Sequence, residues 1–137
     1  MPHLFPSDAW AKAFMEKLNT SAAYGETAKN WEGDICFVVE PDTSALPQAM
    51  TLYMDLWHGQ CRAAGQIANP EEKQAAFILT GTLGAYTKIL TGQLDPMQAM
   101  LTRRLKVKGS MIILMRNVPT VLEFVRTASQ VDTEFPQ

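Results

Sequence analysis

Histidine and cysteine are scarce in this chain, which limits the chemistry it can perform. It contains only His3, His58, Cys36 and Cys61 of these types. A histidine commonly serves as the base for a serine or cysteine nucleophile, and a metal site needs several ligands at short spacing, so neither is favoured. Phosphate-binding, dinucleotide-binding and Gly-x-Ser-x-Gly motifs are also missing. We therefore expect no catalytic residues, no metal and no cofactor. Three scattered carboxylates leave acid–base catalysis as a less favoured alternative: Asp34, Glu40 and Asp55.

An excess of one charge is missing too. The chain has 12 basic and 14 acidic residues, with a formal net charge of −2. This near balance argues against a nucleic-acid partner, which would require a basic surface to neutralise phosphates. Four basic residues lie close together in the sequence: Arg103, Arg104, Lys106 and Lys108. We interpret them as the solvated edge of a strand in preference to a docking site for an anionic membrane. We expect at most weak, transient membrane contact.

Long apolar runs are likewise absent. The first residues, MPHLFPSDAW, lack the basic start and apolar stretch of a signal peptide, and no segment is long enough to span a bilayer. A cytoplasmic location is therefore expected. The length of 137 residues suits a single domain over 1–137. We expect its core at about 9–127, with both termini disordered.

Hydrophobic periodicity predicts a mixture of helices and strands. Ser7 suits the start of a helix that carries Trp10, Phe14 and Leu18 on its core-facing side. Further helices are predicted at 22–30, 82–90, 95–102, 110–116 and, capped by Asn117, 117–127. Strands are predicted at 34–40, 49–58, 61–67, 75–80 and 105–108, with the first central and the third at an edge.

The strand at 49–58 distinguishes the two faces of the sheet. Its even positions, including Leu52 and Leu56, are apolar and are predicted to face inward. Its odd positions include Tyr53 and Trp57, which either mark a protein interface, such as a homodimer, or lie under the N-terminal helices. If the strands follow one another in the sheet, this strand separates the two cysteines by more than a disulfide can span, so free thiols are expected.

The segment 91–116, TGQLDPMQAMLTRRLKVKGSMIILMR, has unusually clear boundaries. Asp95 can cap a helix, and Pro96 suits its first position because no N–H is needed there. Leu105-Lys106-Val107-Lys108 alternates as a half-buried strand does, Gly109 turns the chain, and Ser110 can cap a further helix. That helix, which begins MIILM, is too apolar to face water on all sides.

This order of elements resembles the C-terminal half of the sterol carrier proteins, also called non-specific lipid-transfer proteins. The likeness is strongest over 77–115, where Ser110 stands in place of the aspartate of many relatives. The resemblance implies an α/β (α+β) single domain with a mixed sheet of about five strands and helices on one face enclosing an apolar cavity. It also implies a non-catalytic carrier of fatty acids, fatty acyl esters, phospholipids or sterol-like molecules. A dimerisation module, or an accessory domain assisting a lipid-metabolising enzyme, is the alternative.

The resemblance further implies that the cavity lies between the sheet and the C-terminal helices. Methionines at helical spacing are usually core filler, but their flexible side chains also suit ligands of varied shape, and the resemblance favours the second interpretation. Tryptophan at position 100 or 101 is expected to block an acyl chain. The residues expected to line the cavity are Leu52, Met54, Leu56, Phe77, Leu79, Tyr86, Leu90, Met97, Met100, Leu101, Met111, Leu114, Met115 and Leu122.

Overall fold

The computed structural model describes residues 2–42 and 45–136. The strands are β1 His3–Leu4, β2 Ile35–Glu40, β3 Met50–Trp57, β4 Gln60–Ile67, β5 Phe77–Thr82, β6 Lys106–Lys108 and β7 Thr133–Glu134. The helices are α1 Asp8–Thr20, α2 Ala22–Thr27, α3 Leu83–Leu90, α4 Pro96–Leu101, α5 Met111–Arg116 and α6 Val118–Ala128, with a single 3₁₀ turn at Pro70–Glu72.

Five strands form the main sheet in the order β4-β3-β2-β5-β6. Strand β2 pairs antiparallel with β3 and parallel with β5, so the sheet is mixed. The predicted central strand and the predicted edge strand are both confirmed. Phe37 lies opposite Leu52 on one side and Leu79 on the other, which places these three apolar side chains on the same face. That inner face carries the helices.

Four short polar side chains begin helices where the sequence indicates. Ser7, Thr82 and Ser110 each accept a hydrogen bond from the backbone N–H three residues later, and Asp95 accepts one from Met97 N. Asn117 stands at the predicted position immediately before α6, but its side chain makes no capping hydrogen bond there. Its side chain donates to Ile113 O at 2.7 Å and thus closes the end of α5 instead of the start of α6. Helix α2 is also shorter than predicted.

The described residues near both chain ends form defined structure, so the prediction of disordered termini is wrong for them. Strands β1 and β7 pair in parallel as a separate two-stranded sheet. Trp10 Nε1 donates to Thr133 Oγ1 at 2.9 Å, and Phe5 and Val131 are buried. The few apolar residues near each end suffice because they pack against each other and against α1, which a local composition argument cannot detect.

The outer face of the sheet is covered by side chains and not by helices. Tyr53 Oη donates to Asp34 Oδ2 at 2.8 Å, and the Lys73 ammonium lies 4.9 Å from the Tyr53 ring centre. The Arg62 guanidinium lies 4.8 Å from the centre of the Trp57 ring, which stays 39% exposed. Of the two alternatives for Tyr53 and Trp57, cover by the N-terminal helices is therefore wrong, because α1 packs on the inner side with its aromatic residues.

Both cysteines are buried free thiols. Cys36 lies opposite Tyr53 on the outer face, whereas Cys61 lies opposite Leu56 on the inner face. The strand order that the prediction assumed is confirmed, since β3 separates the two strands. Burial raises the pKa of the Cys36 thiol to about 11 and that of the Cys61 thiol to about 12. Neither thiol is a ready nucleophile at neutral pH.

Candidate functional site

An apolar cavity of about 90 Å³ lies between the inner face of the sheet and the helices. The sheet side is formed by Ile35, Phe37, Leu52, Leu56 and Leu79. Helices α1 and α3 contribute Trp10, Phe14, Tyr86, Ile89 and Leu90, while α4, α5 and α6 contribute Pro96, Met100, Leu114, Thr120, Val121, Phe124, Val125 and Ala128. Tyr24 of α2 also lines the cavity, so six helices and three strands share this interior space.

Aromatic rings form a continuous part of the cavity wall. Phe37 on β2 stacks on Phe124 of α6 with ring centres 5.8 Å apart and planes inclined by 12°. Phe124 contacts Phe14 at 4.8 Å, and Phe14 contacts Trp10 at 5.2 Å. Such ring pairs add stabilisation beyond the area that they bury. Ring contacts therefore connect the sheet side of the cavity to its α1 side.

The few polar groups at the cavity already have protein partners. Tyr86 Oη donates to Leu79 O at 2.7 Å, and Thr120 Oγ1 donates to Thr27 O at 3.2 Å. Burial raises the pKa of the Tyr86 phenol above its usual value, so this group stays neutral. Among the described residues, no buried side-chain N or O atom lacks a hydrogen bond. The wall of the cavity is therefore apolar, and it presents no charged group to a ligand.

Half of the residues expected at the cavity do line it. These are Leu52, Leu56, Leu79, Tyr86, Leu90, Met100 and Leu114. Another three, Met54, Phe77 and Met97, are buried elsewhere in the core and do not reach the cavity. Their alternation or helical spacing indicated burial correctly, but burial alone does not specify which part of the core a side chain fills.

The remaining four expected residues lie outside the cavity, so their predicted placement is wrong. Leu101, Met115 and Leu122 are exposed, and Met111 is half-buried at the start of α5. Each exposed residue directly follows one that lines the cavity: Met100, Leu114 and Val121, respectively. Consecutive helix positions are about 100° apart, so a helix that directs one of them inward turns the next toward solvent.

Sequence reasoning missed the aromatic part of the wall. Phe14 was expected to be plain core, and Phe124 was not singled out, yet both line the cavity. Phe37 and Ile35 could have been found, because they occupy the inner face of a central strand. No local signal identifies Phe124, since its contacts with Phe37 and Phe14 join distant parts of the chain.

Polar clusters with the geometry of a catalytic or metal site are not seen in 2–42 and 45–136. No three His, Cys, Asp or Glu side chains in this part lie close enough together to hold a metal ion. His58 Nε2 lies 2.6 Å from Glu32 Oε2, but both side chains are about half exposed, and neither lines the cavity. Helices with the length and apolarity needed to cross a membrane are also not found there.

Comparison with known proteins gives the family. The model of the SCP-2 sterol transfer family matches residues 7–121, most of the chain. The chain belongs to this family. A crystal structure of sterol carrier protein 2 is 35% identical, with a TM-score of 0.83 over 91% of this chain and 97% of that one. No protein with a curated description matches at a significant level.

Two further solved structures show the range of the SCP-2 fold. A possible sterol carrier protein from Thermus thermophilus is 34% identical, with a TM-score of 0.83 over 92% of this chain and 88% of that one. Sterol carrier protein 2 from Aedes aegypti, solved in complex with palmitate, is 16% identical. It aligns with a TM-score of 0.52 over 86% of this chain and 96% of that one, a likeness that concerns the fold alone.

Proposed function

We propose that this SCP-2 family member is a non-catalytic carrier that binds long apolar molecules in its cavity. The ligand classes are fatty acids, fatty acyl esters, phospholipids and sterol-like molecules. The observation that carries the proposal is an interior space between sheet and helices that is lined by apolar and aromatic side chains and free of charged ones. The palmitate complex of the Aedes aegypti relative supports the fatty-acid class.

Binding a long chain requires the cavity to enlarge. Its volume is about 90 Å³, whereas an engineered protein cavity of about 150 Å³ holds only a benzene-sized ligand. The aromatic side of the wall is held by stacked rings, but α5 buries only Leu114 among its six residues. Elements with few buried contacts open at the lowest free-energy cost. The ligand therefore enters as α5 and its neighbours move outward.

The hydrophobic effect supplies enough free energy for this mechanism. A saturated chain gains about 0.8 kcal/mol for each methylene that it buries, so a dozen provide roughly 10 kcal/mol. Micromolar affinity needs about 8 kcal/mol net, which leaves about 2 kcal/mol for ordering the bound chain and displacing the wall. Because Tyr86 and Thr120 already have protein partners, ligand choice depends on shape and chain length more than on polar recognition.

The cytoplasm is the proposed compartment. Cys36 and Cys61 are unpaired and buried on opposite faces of the sheet. Reduced cysteines are usual in the reducing cytoplasm, whereas secreted proteins commonly oxidise theirs.

Adjacent residues on α4 provide a matched test of the cavity. Met100 is buried and lines the cavity, whereas Leu101 is 59% exposed. Met100→Trp should occupy the space and weaken displacement of a fluorescent fatty acid by at least about tenfold, equivalent to roughly two buried methylenes. Leu101→Trp should leave affinity unchanged, which revises the expectation from sequence.

Thermal unfolding and native mass spectrometry accompany this measurement. Both variants should unfold cooperatively, and freshly purified wild-type protein should carry extractable lipid that Met100→Trp lacks. If folded Met100→Trp binds the fatty acid as wild type does, or if both variants lose binding equally, the cavity is not the ligand site. Met100→Phe gives a smaller change of volume should the tryptophan variant fail to fold.

A further inference from the structure

The two edges of the main sheet differ in what covers their backbone groups. At the β4 edge, side chains of α1 take the hydrogen-bonding positions that a further strand would occupy. Asn19 Oδ1 accepts a hydrogen bond from Cys61 N at 2.7 Å, and Asn19 Nδ2 donates one to Cys61 O at 2.9 Å. Asp8 Oδ1 accepts another from Gln66 N at 2.8 Å. Helix α1 therefore closes this edge to other chains.

Strand β6, at the opposite edge, has no such cover. It pairs with β5 on one side, and no further backbone–backbone hydrogen bond joins 106–108 to any other described part of the chain. Gly109 and Ser110, which follow the strand, are exposed. A free strand edge presents N–H and C=O groups that can pair with another extended segment. The β6 edge is therefore open to strand addition.

The charge near β6 is of one sign. Between Asp95 and Glu123 the chain contains no acidic residue, although its overall net charge is −2. The same interval holds five exposed cations: Arg103, Arg104, Lys106, Lys108 and Arg116. None of them forms a salt bridge with any residue that the structure describes. A second copy of the chain would bring this positive group against itself, so the charges favour an acidic partner.

The register of β6 defines the chemistry of that partner further. Lys106 and Lys108 lie on the outer face of the sheet, whereas Val107 lies opposite Leu79 on the inner face. A strand added beside β6 would place alternate side chains next to the lysines, with about 5 Å between Cβ atoms. The side chains between them would lie beside Val107, which is half-buried. Acidic residues suit the first set of positions, and apolar residues suit the second.

We propose that β6 is a docking edge for an acidic, extended segment of a partner protein, which adds to the sheet as a sixth strand. The segment alternates acidic with apolar residues, and its backbone pairs with that of β6. Protection of a solvated edge accounts for the two lysines of β6, but not for the lack of acidic residues around them. The proposal does not depend on lipid binding, because none of residues 106–108 lines the cavity.

Titration of the full chain with a synthetic peptide, followed by NMR, tests the docking edge. The probe has five residues, alternating glutamate and valine, with blocked ends; its control has lysine in place of glutamate. Backbone amide signals of Lys106–Lys108 should shift with the acidic peptide, whereas those of Gln60–Ile67, at the edge closed by α1, should not. The lysine peptide should bind at least about tenfold more weakly, because like charges then face each other.

Matched charge variants test the contribution of the two lysines. Lys106→Gln/Lys108→Gln should weaken binding of the acidic peptide about fivefold, at a little over twofold for each cross-strand charge pair. Lys17→Gln/Lys88→Gln removes the same charge from exposed sites on α1 and α3, and should change the affinity by less than about 1.5-fold. Thermal unfolding checks that both double variants fold as the wild-type protein does.

Two N-methylated peptides separate strand pairing from ion pairing alone. Methyl groups on the glutamate nitrogens block one edge of the extended peptide, and methyl groups on the valine nitrogens block the other. Strand addition predicts that one of these peptides loses binding while the other retains it.

Four results would overturn the proposal. The first is that the unmodified acidic peptide shifts no β6 signal, and the second is that both methylated peptides bind as it does. The third is an equal loss of binding for the two lysine pairs. The fourth is a wild-type dimer, seen by light scattering, in which the β6 amides are already protected from hydrogen exchange. That outcome would assign the edge to a second copy of the chain.

Discussion

Filling the cavity should stabilise the protein while weakening lipid binding. Val121 of α6 lines the cavity and is half-buried. A cavity lowers the free energy of unfolding by about 24 cal/mol for each Å³ of its volume. The cavity of about 90 Å³ therefore lowers the stability of the ligand-free protein by about 2 kcal/mol. Val121→Phe can recover at most that amount. For a domain of this size the gain raises Tm by up to roughly 5 to 10 °C.

The assay combines thermal unfolding of lipid-free protein with displacement of a fluorescent fatty acid. Leu122→Phe is the matched control, because Leu122 is the next residue on the same helix and is 43% exposed. It should change the free energy of unfolding by less than about 0.5 kcal/mol. If Val121→Phe instead destabilises the protein by about 1 to 3 kcal/mol, as overpacking does, the interior has no free space to fill and the reasoning fails.

Three further predictions concern the wall, the thiols and the chain ends. Backbone amides of α5 should exchange hydrogen faster than those of β2 and gain protection with palmitate; equal protection without ligand would contradict an opening at α5. Cys36 and Cys61 should react with a thiol reagent at pH 8 only after unfolding. Because folding raises their pKa values from 9.0 to about 11 and about 12, the unfolded thiols lose protons first, so Tm should fall as the pH rises from about 9 toward 11. A Cys61→Ala variant should show a shallower fall, and an identical fall would exclude the Cys61 contribution. Trp10→Phe removes the 2.9 Å hydrogen bond to Thr133 and should lower the free energy of unfolding, measured by chemical denaturation, by about 1 kcal/mol. The same substitution should cost less in a Thr133→Val background, where the bond is already absent. An equal loss in both backgrounds would show that the hydrogen bond is not the source of the stability.

Local signals in the sequence predict the elements well. The cap residues Ser7, Asp95 and Ser110 each accept a backbone N–H, as their positions indicate. The alternation of apolar residues along β3 correctly assigns Leu52 and Leu56 to the inner face. These features are predictable because capping and alternation are settled by a few neighbouring residues.

Only tertiary structure decides which apolar side chains meet the cavity. In α5 the run MIILM is apolar on every side, so its pattern does not reveal that Leu114 is the one residue of this helix that becomes fully buried. Pairing of β1 with β7 and stacking of Phe37 on Phe124 join segments far apart in sequence. The sequence by itself determines the helices, the strands and the inner face of the sheet. The cavity wall and the pairing of β1 with β7 depend on long-range packing, for which no local pattern exists.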